Sequence, residues 1–103
     1  MRIDVSSSAD RTVLHAGTAV AEVRVGANTV DVRFSAPAGH LPADARSSLV
    51  AAVFALPDLH THRRLRATVP LGDAELLLQV RRRCPEARAR AAGASCLLDG
   101  QLD

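Results

Sequence analysis

Residues 21 to 25 and 30 to 34 alternate apolar and charged side chains, and no other stretch restricts the fold as strongly. Ala21, Val23 and Val25 take one parity, and Glu22 and Arg24 take the other. After Gly26-Ala27-Asn28, Val30, Val32 and Phe34 again oppose Asp31 and Arg33. A period of two marks a strand with one buried and one wetted face. Gly-Ala-Asn between two such runs is a hairpin turn signal. The chain must therefore build an antiparallel sheet and find something to cover its apolar side.

The remaining elements follow from punctuation and period. Arg2 to Val5 alternates, with Ile3 and Val5 opposite Arg2 and Asp4, and Ser6-Ser7-Ser8-Ala9-Asp10 reads as a turn. Thr12 to His15 supplies a further strand, and Ser35 to Pro42 is a loop punctuated by Pro37, Gly39 and Pro42. Ala43 to Leu56 has helical spacing, with Ala45, Leu49, Val53 and Leu56 on one stripe, Val50 and Phe54 widening it and Pro57 ending it. Leu65 to Val69 returns to alternation, with Arg66 and Thr68 outward. A second helix opens at Gly72-Asp73, where Asp73 is a good N-cap and Glu75 suits the first turn. Its buried stripe is Leu76, Leu77 and Val80. Arg81 to Arg83 complement the dipole at its end, and Pro85 stops it. Ala94 to Leu98 is the closing strand.

The order is thus β-β-β-β-α-β-α-β, an α+β fold. It predicts a mostly antiparallel sheet of five to six strands with two helices on one face, Phe54 and Leu77 lying in the core. With 103 residues, 48% hydrophobic and 23% charged, the chain reads as a single domain spanning residues 1–103.

Composition excludes several functions. No apolar run approaches the ~20 residues needed to span a bilayer, and the first residues lack the apolar region of a signal peptide. The expectation is a cytoplasmic protein with no membrane partner. All basic residues are arginine, and 13 of them against 11 acids leave a net charge of only +2. Aromatic side chains are limited to Phe34 and Phe54, so the stacking platforms of single-strand binders are missing and no nucleic-acid partner is expected.

Other candidate chemistry is sparse. Cys84 and Cys96 match no disulfide framework or zinc spacing and read as reduced thiols. His60-Thr61-His62 could set two imidazoles on one side of an extended segment, but Arg63 and Arg64 are adjacent and no further ligands are at hand. They read as loop histidines, and no metal is expected. His15 and His40 are isolated. Ser47 and Ser48 lie inside a helix without a nucleophile elbow.

The segments "VDVRFSAPAGHLPADARSSLVAAVFAL", "RLRATVP", "LGDAELLLQV" and "AGASCLLDG" follow one another in an order that resembles the acyl-CoA N-acyltransferase (GNAT) superfamily over roughly residues 19 to 100. Gly72-Asp73 stands where that family opens its last helix with Asn, and Ala92-Gly93-Ala94 is similar to its glycine step into the closing strand. The resemblance implies a phosphate-cradling loop ahead of the first helix, where successive backbone N–H groups hold acetyl-CoA. Here the stretch is Gly39-His40-Leu41-Pro42-Ala43-Asp44-Ala45. Only Gly39 and Ala43 carry over: Pro42 has no N–H to give, and Asp44 puts a carboxylate where the anion would lie. The family's tyrosine general acid has no counterpart, since the chain has no tyrosine. The paired helices that follow the family's first strand are replaced by a short polar link.

The sequence therefore predicts a GNAT-like module with no catalytic, cofactor-binding or metal residues, acting through a protein partner or as a homodimer. The partner-binding residues are the outward Arg24, Arg33 and Arg66, interleaved with Glu22 and Asp31. The alternative is an acyl-CoA-dependent N-acyltransferase with an atypical loop, and only that reading calls for acetyl-CoA as cofactor.

Overall fold

The computed structural model describes residues 2–36, 44–61 and 64–101. Chain order is β1 (Asp4–Ser8), β2 (Arg11–Ala16), β3 (Ala19–Val25), β4 (Thr29–Ser35), α1 (Ala45–Phe54), α2 (Asp58–Thr61), β5 (Arg64–Pro70), α3 (Ala74–Arg83), β6 (Arg88–Ala92) and β7 (Ser95–Gln101). The strands form one seven-stranded sheet in the order β1-β2-β3-β4-β5-β7-β6. The expectation of five to six mostly antiparallel strands with two helices is corrected: the described residues hold seven strands, of which β4 and β5 are parallel, and three helices.

The extra strand is β6, Arg-Ala-Arg-Ala-Ala, all of it exposed. It lacks the β-branched and aromatic residues that mark a strand by propensity. It is held instead by β7, which pairs with it over its whole length after the Gly93-Ala94 turn. Gly93 has a φ of +62°, and Gly17, which turns β2 into β3, has +63°. Both are left-handed positions that only glycine takes without strain. At the other edge Ser6, Ser7 and Ser8 belong to β1, and the turn is the shorter Ala9-Asp10. The extra helix, α2, is a single turn after Pro57, and it carries Leu59 into the core.

One parity of every strand from β2 to β5, and of β7, faces the two longer helices. Leu14, Ala21, Val23, Val30, Val32, Phe34, Leu65, Ala67, Val69 and Leu98 are buried there against Leu49, Val50 and Val53 of α1 and Leu76 and Val80 of α3. Full burial of each valine, leucine or phenylalanine among them contributes about 1.5–3 kcal/mol. Phe54 and Leu77, expected in the core, are corrected to its margin, half-buried and packed against it. Phe54 is the last residue of α1, and Leu77 lies one residue off the Leu76–Val80 stripe.

A polar clamp joins the two longer helices. Asp73, the N-cap of α3, accepts the Leu76 N–H at 3.0 Å and takes the Arg46 Nε–H of α1 at 2.9 Å from each carboxylate oxygen. The side chains are 22% and 11% exposed for Arg46 and Asp73, so this is the most sheltered ion pair among the described residues.

Candidate functional site

The opposite face of the sheet carries no helix and is built from the other parity. Cross-strand register makes it a set of rows. The first runs Arg11, Arg24, Asp31, Arg66, Asp99, Arg88 from β2 to β6. The next runs Val13, Glu22, Arg33, Thr68, Leu97, Arg90. The structure thus places Arg24, Arg33 and Arg66 on one surface on three adjacent strands, around Asp31. Asp31, Arg33, Arg66 and Thr68 line two adjoining depressions of about 270 and 340 Å³.

The carboxylates on this face are engaged by neighbouring arginines. Glu22 takes Arg11 and Arg24, each at 2.8 Å. The Arg24 hydrogen bond, with help from Arg11, holds the Glu22 carboxyl below its ordinary range despite the opposing effect of burial. Asp99 accepts two hydrogen bonds from Arg64, at 2.9 and 2.6 Å. That hydrogen bonding lowers the Asp99 pKa, reinforced by the charges of Arg64, Arg66 and Arg88, and raises that of Arg64. Asp31 lies 4.0 Å from Arg66.

Arginine exceeds acid here. Arg11, Arg24, Arg33, Arg64, Arg66, Arg88 and Arg90 stand on this face of β2 to β7 against Glu22, Asp31 and Asp99. Among the described residues Arg33, Arg88 and Arg90 make no hydrogen bond or ion pair. The cation excess of one surface is therefore larger than the +2 of the whole chain. Sequence reasoning found Arg24, Arg33 and Arg66 by alternation but missed Arg88 and Arg90, because the strand that presents them has no β-signal.

A second feature lies between the central strands. The β4–β5 ladder ends at Arg33–Thr68, although β4 continues to Ser35 and β5 to Pro70. Both strands stay in the sheet beyond that point, β4 pairing with β3 as far as Ser35–Val20 and β5 with β7 as far as Pro70–Ser95. Asp44 occupies the N-cap of α1, its carbonyl accepting from the Ser48 N–H at 2.9 Å and the Ser47 hydroxyl at 3.2 Å. Gly39, His40, Pro42 and Ala43 lie outside the described residues. The structure is similar to that of the "putative acetyltransferase" of Sphaerobacter thermophilus DSM 20745, at a TM-score of 0.60 and 20% identity, over 92% of this chain and 71% of that one.

The fold is acetyltransferase-like. No protein-family model and no curated protein matches the sequence.

The other candidates contribute little. His60 is exposed on α2, while His62 lies outside the described residues. No group of three His, Cys, Asp or Glu side chains among the described residues could hold a metal. Cys84 and Cys96 are buried free thiols, and burial raises the Cys84 pKa, away from nucleophilic thiolate. No described helix is long and apolar enough to cross a membrane.

Proposed function

We propose that this chain is a non-catalytic module on an acyltransferase-like frame, and that it binds a protein partner through the open sheet face centred on Arg24, Arg33 and Arg66. The observation that carries this reading is the arginine excess of that face, with Arg33 at its middle free of any ion pair among the described residues. An unpaired guanidinium offers five donors in a fork suited to carboxylates. Self-association through the same face is disfavoured, because two copies would bring two cation-rich surfaces together. The partner's surface is acidic.

Titration calorimetry with poly-L-glutamate, as a stand-in acidic polypeptide, tests the reading. Binding should be salt-sensitive. Charge reversal at Arg33→Glu should weaken it by roughly tenfold, since one exposed pair of up to ~1 kcal/mol is removed and a repulsion added. Equal binding by wild type and variant would refute it.

The end of the β4–β5 ladder at Arg33–Thr68, two residues short of the end of each strand, favours a second reading, an acyl-CoA-dependent N-acyltransferase whose substrate arm enters between these strands. Against it stand Asp44 at the N-cap of α1 and the absence of tyrosine from the sequence. Acetyl-CoA binding at micromolar affinity would promote the second reading over the first.

A further inference from the structure

The face described above ends on an unusual edge. β6 pairs with β7 along one side, and its other side has no strand neighbour among the described residues. Unpaired N–H and C=O groups on such an edge are a template for another extended chain. What the edge admits depends on its side chains. Arg88 and Arg90 project to the open face, and Ala89 and Ala91 project to the helix side. Two β6 edges meeting directly would set arginine against arginine, which is destabilising across strands. The opposite edge, β1, offers Asp4, Ser6 and Ser8 on the open face, and Asp4 is already within 3.5 Å of Arg2. It is a poor match for two arginines.

We infer that β6 receives an extended segment of the acidic partner, added as an eighth strand, in which acidic residues alternate with aliphatic ones. The inference rests on the binding reading given above and specifies where and in what conformation the partner docks. Acidic side chains of the added strand lie beside Arg88 and Arg90, next to the 270 Å³ depression that these arginines share with Leu97 and Asp99. Its aliphatic side chains lie over Ala89 and Ala91, whose small size leaves room for branched residues. Main-chain hydrogen bonds supply affinity, and the two alternating sets of side chains supply selectivity.

The test uses a fluorescein-labelled ten-residue peptide alternating Glu and Val, read by fluorescence polarisation. Two further peptides carry N-methyl groups on alternate residues, one in each parity, so that only one set blocks the N–H groups facing β6. The expected result is binding by the unmodified peptide and by one methylated peptide, with at least a tenfold loss for the other. The Arg88→Glu/Arg90→Glu double variant, checked for an unchanged circular dichroism spectrum, should also lose at least tenfold. No binding by the unmodified peptide, or equal binding by both methylated peptides, would overturn the inference. If poly-L-glutamate binding stays dependent on Arg33 while either of those results holds, the open-face reading survives and only the strand addition fails.

Discussion

Replacing Asp73 by alanine removes two interactions at once, and the structure sets how much each is worth. The carboxylate caps α3 through the Leu76 N–H, and losing an N-cap costs about 1 kcal/mol. The same carboxylate neutralises Arg46, whose side chain is 22% exposed. Breaking a fully buried pair costs about 3–5 kcal/mol, and an exposed pair about 0–1. A pair sheltered to this degree falls between, at about 1–2 kcal/mol. Asp73→Ala should therefore destabilise the fold by about 2–3 kcal/mol, a large share of the 5–15 typical of a small protein. Asp73→Asn keeps an acceptor for the Leu76 N–H and should lose only the charge part, about 1–2 kcal/mol. Urea denaturation of both variants, with Arg46→Met and the double mutant completing a cycle, separates the terms. A coupling of about 1–2 kcal/mol between positions 46 and 73 is expected. A loss below about 0.5 kcal/mol for Asp73→Ala, or a coupling near zero, would refute the clamp.

Leu49→Ala, at a fully buried site on α1, should cost about 2–5 kcal/mol, while Phe54→Ala at the half-buried end should cost less than the roughly 3–5 of a buried phenylalanine; thermal or urea melts compare them. The Glu22 carboxyl is depressed in the folded state from an ordinary value of 4.5. Its contribution is present above that value and lost as pH falls through the lower folded value, so the melting difference between wild type and Glu22→Gln should shrink on acidification below about 4.5. A difference that grows with acid would reverse the sign of the argument. Acetyl-CoA, followed by ligand-observed NMR, should show no binding in the micromolar range.

The parts of the fold that were legible in the sequence are those where side-chain period and burial agree. Ala21–Val25 and Val30–Phe34 alternate strictly because one face meets the helices and the other meets water, so the outward placement of Glu22, Arg24, Asp31 and Arg33 could be read directly. Arg66 followed from the same logic on β5. Illegible were the elements whose pairing is imposed by a neighbour. β6 is built of Arg and Ala and owes its conformation to β7, so Arg88 and Arg90 went unnoticed as members of the face. Ser6 to Ser8 carry turn-forming side chains yet pair with β2 along an edge, where the ladder outweighs propensity. Helical spacing put Phe54 and Leu77 on the buried stripes, but Phe54 ends its helix and Leu77 sits one residue off the Leu76–Val80 line, so both fall at the margin. The balance of charge on the face depends on register, which a single strand's sequence does not contain.

Amide chemical-shift mapping during titration with poly-L-glutamate checks the proposal that the open sheet face binds an acidic partner. Perturbations are expected to cluster on β3 to β7 around Arg24, Arg33, Arg66, Arg88 and Arg90 and to fade as salt is raised, with the first turn of α1 unaffected. Perturbations confined to α1 and α3, or none on the sheet at low salt, would contradict it.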